Sequence, residues 1–469
     1  MSIEFGKPLS VRETPIPGLI LLDLPVHGDA RGWFKENWQR EKMTSAVVGL
    51  PDFGPVQNNI SFNDAVGTTR GIHAEPWDKF VSVATGRIFG AWVDLREGPT
   101  FGAVYTAELD PSTAIFVPRG VGNSYQTLEP DTAYTYLVND HWSPTATYTF
   151  LNLADETAAI DWPIPLDQVE ISAKDRDHPR LADVTPMPPK KTLILGANGQ
   201  VGRALRHVFG DQPSMEYATR ADLDLTSPEL HSARRWRDYD TIINAAAYTD
   251  VDGAETPAGR VDAWATNVTA VAALAQVSVA NGITLVHISS DYVFDGSKDS
   301  EYTSSDAVSP LGVYGQTKAA GDAVVSVVPR HYILRTSWVV GDGKNFVRTM
   351  AALAERGVDP EVVDDQTGRL TLASDIALTI RRLLHSRAPF GIYNVTSIGD
   401  PATWYDVARE VFRLTGHDPD RVKPVSTHGY YAASSGPALI RPRNSVLATS
   451  ELDATWQQRL ADYLAQQRS

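Results

Sequence analysis

The apolar pattern of this chain changes period once, and the change falls at a proline stretch. Up to about Val169, apolar residues come in short runs: Phe80–Val83, Ile88–Leu95, Phe101–Leu109, Ala114–Val117 and Tyr134–Val138. Turn residues such as Thr85-Gly86, Glu97-Gly98-Pro99 and Asp110-Pro111 separate them. Strands this short and evenly spaced, rich in Trp and Tyr, predict an all-β sandwich or barrel. The segment Asp183–Lys191 carries three prolines and predicts an extended connector. Beyond it, strands expected at Thr192–Leu195, Met215–Ala218, Thr241–Asn244 and Ile283–Ile288 alternate with helices expected at Gln200–Phe209 and Val261–Val279. That alternation builds βαβ units and a parallel sheet. The expected chain is multidomain: a β domain over 1–182, a connector over 183–191 and an α/β doubly wound domain over 192–469.

Composition narrows the function. Lys and Arg number 42 against 57 Asp and Glu, a net charge of −15, and no basic run offers a face to nucleic acid. With no cysteine, thiolate zinc sites, iron–sulfur clusters and cysteine nucleophiles are excluded. Leu19-Ile20-Leu21-Leu22 is interrupted by Asp23 and lacks a basic flank, so it reads as a strand, not a leader. No window is expected to supply the roughly 18 apolar residues of a spanning helix. The expected location is the cytoplasm, without a membrane partner.

In the second half, Gly196-Ala197-Asn198-Gly199-Gln200-Val201-Gly202 follows a strand and opens a helix. Glycines there permit a tight turn and let the backbone approach a pyrophosphate at the helix N-terminus. Tyr314 and Lys318 stand at i and i+4, on one helix face. An ammonium beside a phenol favours the phenolate, which makes the pair a usable general acid. Ser290 ends the strand Ile283–Ile288, where an open sheet holds its ligand, and its hydroxyl can bond the carbonyl that Tyr314 protonates.

These residues resemble the extended short-chain dehydrogenase/reductase family, with its Rossmann fold. Ile243–Thr249, Ser290–Gly296, Arg335-Thr336-Ser337-Trp338, Asp365-Gln366-Thr367-Gly368 and Arg441–Ser445 resemble the dTDP-4-dehydrorhamnose reductases in particular. The resemblance implies that Tyr314 protonates a sugar C4 oxygen as hydride arrives, that Lys318 holds the nicotinamide ribose, and that Asp291, Tyr292 and Trp338 line the sugar. It places Asp224, Leu225 and Ala245-Ala246-Ala247 at the cofactor. Arg220, at the end of Met215–Ala218, suits a 2′-phosphate and points to NADPH; read as merely solvated, it leaves NADH open. Ser290 stands where those reductases usually carry Thr, and Ala204 where they carry a metal-binding Glu, so no metal is expected.

In the first half, His73 is flanked by Arg70 and Lys79, an arrangement suited to an anionic ligand, and Asp175 offers a carboxylate to fix its tautomer. No H-x-H occurs, which argues against a metal. Asp29–Glu36, Gln57–Ser61, Arg70–His73, Val93–Arg96, Val117–Gly120 and Ser172–Asp175 resemble the dTDP-4-dehydrorhamnose 3,5-epimerases, metal-free cupin-like jelly rolls. The resemblance implies His73 with Asp175 as base, Tyr136 as opposing acid and Lys79 beside the enolate oxygen. It places Arg31, Gln57, Asn59 and Arg70 at the nucleotide diphosphate, and Phe34, Glu36 and Trp142 at the base or sugar. Asn123 and Gly90 replace an accessory His and Asp of that pattern.

The expected function is epimerisation of a dTDP-linked 4-keto-6-deoxy sugar followed by reduction of its ketone, in a homodimer formed through the β domain. The rival readings are a single-centre epimerase/reductase making another dTDP- or UDP-6-deoxyhexose, and a non-catalytic regulatory homologue.

Overall fold

Alternation of apolar and polar residues along the first half lays its strands into two antiparallel sheets. In the computed structural model, which describes residues 3–432 and 441–467, the chain divides into two units, Met1–Pro189 and Lys190–Ser469. One sheet of the first unit runs Ser10–Glu13, Ile20–Asp23, Thr113–Val117, Lys79–Thr85, Thr132–Val138, Gln57–Asn63. The other runs Thr149–Phe150, Thr69–Ala74, Val121–Thr127, Ile88–Asp94, Val104–Leu109. Side chains from both inner faces, among them Val81, Val83, Trp92, Ile115, Tyr125 and Tyr134, meet in one core, the arrangement of a jelly roll. Phe101 falls in a turn, closed by its own N–H to Gly98 O, so the strand expected at Phe101 begins at Val104.

The proline stretch is not a free connector. Met187 donates its N–H to Leu95 O, and its carbonyl accepts the Glu97 N–H. Its side chain is buried with Val184, Leu95 and Leu181 in a core of the first unit. Prolines set the extended backbone, but Val184 and Met187 have apolar surface to bury, and burial fastens the segment down.

The second unit is a parallel six-stranded sheet in the order Met215–Ala218, Lys191–Leu195, Tyr239–Asn244, Thr284–Ser290, His331–Thr336, Gly391–Asn394. The chain starts in the second of these strands and winds both ways, so a switch point opens between the ends of Lys191–Leu195 and Tyr239–Asn244. The helix expected at Val261–Val279 runs as Pro257–Trp264, a π-helical turn at Ala265–Thr269, and Ala270–Asn281. Contrary to the sequence expectation, this 25-residue stretch is long and apolar enough to cross a membrane. Its apolarity has a local cause: Val271, Leu274, Ala275 and Val277 pack against the sheet residues Leu193, Ile242 and Leu285.

Gly202 is where the first helix touches the turn before it. A Cβ there would press on the Gly196 carbonyl oxygen and stand 2.7 Å from Ala197 Cα, both backbone atoms. Gly202→Ala is expected to destabilise the second unit by about 1–3 kcal/mol, measured by urea denaturation, and to weaken cofactor binding in parallel.

Candidate active sites

The first site lies between the two sheets. His73 sits on Thr69–Ala74, opposite Asn123 of the adjoining strand. Its Nε2 is 2.9 Å from Asp175 Oδ1. The short helix Ala173–Arg176 carries Asp175, whose N–H is capped by Ser172 Oγ at 3.1 Å. Burial pushes the Asp175 carboxyl up, but the His73 hydrogen bond and charge, with the Gly71 N–H, outweigh it and hold the carboxyl below its usual value. An ionised Asp175 takes the proton on Nε2 and leaves Nδ1 as the basic nitrogen.

From the facing sheet come Tyr136, on Thr132–Val138, and Lys79, on Lys79–Thr85. Lys79 is 4% exposed, ion-paired with Glu75, and its Nζ lies 5.7 Å from the centre of the Tyr136 ring. Burial, then the Glu75 charge, raises the Tyr136 phenol above its usual value and keeps it a proton donor. Asn59 is paired across the strands with Tyr136, and Gln57 with Val138. Gln57 Nε2 donates to Asn59 Oδ1 at 2.7 Å. Arg70 donates to Asn63 Oδ1, and its charge reaches Tyr136.

Four expected contact residues, Arg31, Phe34, Glu36 and Trp142, are not drawn into this site by any bond among the described residues. Arg31 is bound to Asp29 at the tip of the hairpin Val26–Asp29/Gly32–Lys35, because the two-residue spacing lets the carboxylate take both its N–H and its guanidinium. Glu36 holds Lys42 at 2.6 Å. Phe34 and Trp142 are exposed.

The replaced accessory pair has a physical explanation. A Cβ at Gly90 would stand 2.8 Å from Cζ2 of the Trp92 indole, which lies across that position. Trp92 Nε1 donates to Asn123 Oδ1 at 2.9 Å, and the Tyr134 hydroxyl donates to the same oxygen at 3.1 Å. One indole thus takes room at Gly90 and finds its acceptor at Asn123. Sequence reasoning also missed His178, three residues past Asp175. It stacks on Phe150 at 4.8 Å, with Nε2 3.8 Å from Asp175 Oδ1. His73, Asp175 and His178 thus bring three potential ligand atoms within 4.8 Å of one another, a grouping that a search for H-x-H does not see.

In the second unit the glycine turn meets the switch point. Gly196 has a φ of +73°, and a Cβ there would lie 2.7 Å from both Ala245 O and Ala246 N. The glycine turn thus packs directly on the Ala245-Ala246 backbone at the strand ends, where the N-terminus of Gln200–Phe209 could hold a dinucleotide pyrophosphate. Within the turn Asn198 and Gly199 are exposed, Val201 packs beneath, and Gln200 Oε1 is committed to the Gly341 N–H at 2.8 Å. Asp224 accepts from Thr226 in a turn, with Leu225 packed on the core, and Arg220 is exposed next to Asp224.

Ser290 closes the strand Thr284–Ser290, and Tyr314 and Lys318 lie on the helix Val313–Val325. Ser290 Oγ donates to Asp291 Oδ1 at 3.0 Å and hydrogen-bonds Tyr314. Tyr292 and Tyr314 meet edge to face at 6.0 Å. The expected lowering of Tyr314 by Lys318 is corrected by the structure. Burial pushes the phenol up to about 12, against the Ser290 bond, while Lys318 turns its Nζ to Ile288 O at 2.6 Å and is itself pulled down to about 8 by burial. Asp291 is 2% exposed and stands behind Ser290, not on the crevice wall. Trp338 is buried, stacked at 3.8 Å on Trp404. Asn267, on the π-helical turn, was also missed: it accepts the Tyr248 N–H at 2.9 Å and donates to Thr317 Oγ1 at 3.0 Å.

Two enzyme classes are thus joined in one chain, an isomerase on a β jelly roll and a dinucleotide-dependent oxidoreductase on a parallel sheet. Residues 13–183 match the family profile of dTDP-4-dehydrorhamnose 3,5-epimerase, and residues 190–468 match that of the RmlD substrate binding domain. A protein RmlC homologue of Streptococcus pyogenes serotype M6 is 50% identical over 40% of this chain and 96% of its own. A dTDP-4-dehydrorhamnose reductase of Sinorhizobium fredii is 36% identical over 58% of this chain and 94% of its own. The crystal structure of a dTDP-4-dehydrorhamnose reductase from Bacillus anthracis in complex with NADP, 30% identical, matches with a TM-score of 0.53 over 59% of this chain and 99% of that one. The chain belongs to the dTDP-4-dehydrorhamnose 3,5-epimerase family in its first unit and to the dTDP-4-dehydrorhamnose reductase family in its second.

Burial raises the Asp291 carboxyl from 3.8 to about 7. Between those values the unfolded chain releases a proton that the folded chain keeps, so this group's contribution to stability falls as pH rises and levels off above about pH 7. Asp291→Asn is expected to remove that loss. In urea denaturation its stability relative to the parent chain should rise by about 2–4 kcal/mol between about pH 4 and about pH 8.

Proposed function

We propose that this chain is a bifunctional enzyme of dTDP-L-rhamnose synthesis, working in the cytoplasm. Its first unit epimerises dTDP-4-dehydro-6-deoxy-D-glucose at C3 and C5, and its second reduces the C4 ketone. What carries the reading is that each half holds a complete proton-handling set for chemistry at one and the same ketone. Hydrogens beside a ketone are acidic because the enolate spreads charge onto the carbonyl oxygen. His73, oriented by Asp175, removes them; Tyr136, coming from the opposite sheet, returns a proton to the other face. The Lys79 ammonium, 4% exposed, faces the growing oxyanion away from bulk water, where such a charge counts most. These side chains supply base, acid and cation, and the Lys174 ammonium near His178 opposes a dication, so the reading is metal-free.

In the second unit, bound NADPH supplies the hydride. The backbone at Gly196–Gly202 holds the pyrophosphate, and Arg220 takes the 2′-phosphate. Ser290 orients the ketone and Tyr314 protonates its oxygen; a phenol kept neutral by burial is the right form for a donor. Tyr292 lines the sugar. Joining the two steps is chemically sensible, since epimerisation beside a ketone is near balance and reduction withdraws its product. A homodimer through the first unit is supported by Ile60 and Phe62, apolar and exposed on the edge strand Gln57–Asn63. A second reading, epimerisation at one centre, is favoured by the indole that fills the accessory pair's place.

Incubation with dTDP-4-dehydro-6-deoxy-D-glucose and NADPH in deuterated water, with NMR of the sugar, tests both. The expected product is dTDP-L-rhamnose deuterated at C3 and C5; deuterium at one carbon gives the second reading. His73→Ala is expected to abolish deuterium uptake, and Tyr314→Phe to slow NADPH oxidation about 10²–10⁴-fold. Unchanged rates in both variants overturn the proposal.

A further inference from the structure

Lys318 is not the end of its hydrogen-bond chain. Behind it, on the neighbouring strand Thr284–Ser290, stands His287, and behind that Asn244, the last residue of Tyr239–Asn244. All three are buried, at 2%, 1% and 2% exposure. Lys318 Nζ is 3.4 Å from His287 Nε2, and His287 Nδ1 is 3.2 Å from Asn244 Nδ2. The amide cannot turn over, because Asn244 Oδ1 accepts the Ala246 N–H at 3.2 Å. Its NH₂ therefore donates toward Nδ1. A neutral imidazole that accepts at Nδ1 carries its proton on Nε2. Burial and the nearby Lys318 charge both push His287 well below its usual value, so the ring is neutral.

We infer that Asn244 and His287 are positioning residues for Lys318, fixing the imidazole with its Nε2–H toward the lysine nitrogen. An N–H aimed at an ammonium is a donor facing a donor; aimed at the free amine, it meets a lone pair. The pair thus favours loss of the lysine proton, in the same direction as burial. Other charged or titratable groups near Lys318 are Asp322, one turn on along its helix and bound at 3.1 Å to Arg335 of the next strand, and Tyr314, one turn back, whose phenol feels the charges of both Asp322 and the buried Asp291. Asp322 pulls the other way, favouring the ammonium. In its ammonium form Lys318 can return a proton to the Tyr314 phenolate left by each reduction and then regain one from water, so the pair acts on catalysis through the lysine.

This inference rests on the reductase reading, and two measurements keep their failures apart. Long-range ¹⁵N–¹H spectra of the full chain, with His287→Gln identifying the signal, read the tautomer without any turnover. A proton on Nε2 is expected; one on Nδ1 overturns the inference. The second is the pH profile of ketone reduction, which should fall on the alkaline side as Lys318 loses its proton. Asn244→Leu frees the imidazole to accept from the lysine, and Asn244→Asp draws the proton to Nδ1. Both are expected to move the alkaline limb up by about half a pH unit or more. A shift with Asp alone is a charge effect and overturns the inference, as does no shift in either. If the parent chain reduces no 4-keto sugar, the reductase reading fails while the tautomer measurement still decides the inference.

Discussion

Taking an ammonium or a carboxylate out of water costs several kcal/mol unless the fold supplies its partner. Both units are organised around that constraint. Lys79 is buried against Glu75, Asp175 against His73 and the Gly71 N–H, Asp322 against Arg335, and Lys318 against a main-chain carbonyl. Glu75 reaches Lys79 from the loop just ahead of its strand, while Asp175 and Asp322 sit on helices packed against the strands that carry His73 and Arg335. Burial also keeps the Tyr136 and Tyr314 phenols neutral, by raising both above the usual value.

The two units solve the constraint differently. Between antiparallel sheets, side chains approach from facing walls, His73 from one and Tyr136 and Lys79 from the other. At the carboxyl ends of the parallel strands, the backbone is the nearest neighbour. Gly196 has no Cβ because Ala245 and Ala246 occupy the space, and Lys318 finds its oxygen on Ile288.

Much of this was legible in the sequence, for identifiable reasons. The helix Gln200–Phe209 and the strand Met215–Ala218 begin and end where the apolar pattern and the glycines place them. His73 and Asp175, about a hundred residues apart, were joined by chemical need before geometry. What stayed hidden depended on three-dimensional neighbours. His178 and Asn267 look ordinary in sequence and matter through Asp175 and Tyr248. What ties Gly90 to Asn123 is the Trp92 indole, which lies against the first and donates to the second, and no local sequence pattern shows it. The ionisation of Tyr314 was misjudged because helix spacing puts Lys318 on the same face but does not say where its amine turns.

The fastening of Met187 bears on how such a chain can be divided. Composition alone suggests cutting ahead of the prolines. Yet Val184 and Met187 fill the apolar floor beneath Leu95 and Leu181, and Arg119 Nη1 holds the carbonyl of Pro188 at 2.7 Å. The prolines are thus the closing clasp of the β unit. A split gene, natural or engineered, would preserve that unit only if the break fell after Pro189, leaving the parallel sheet to begin almost at its own first strand.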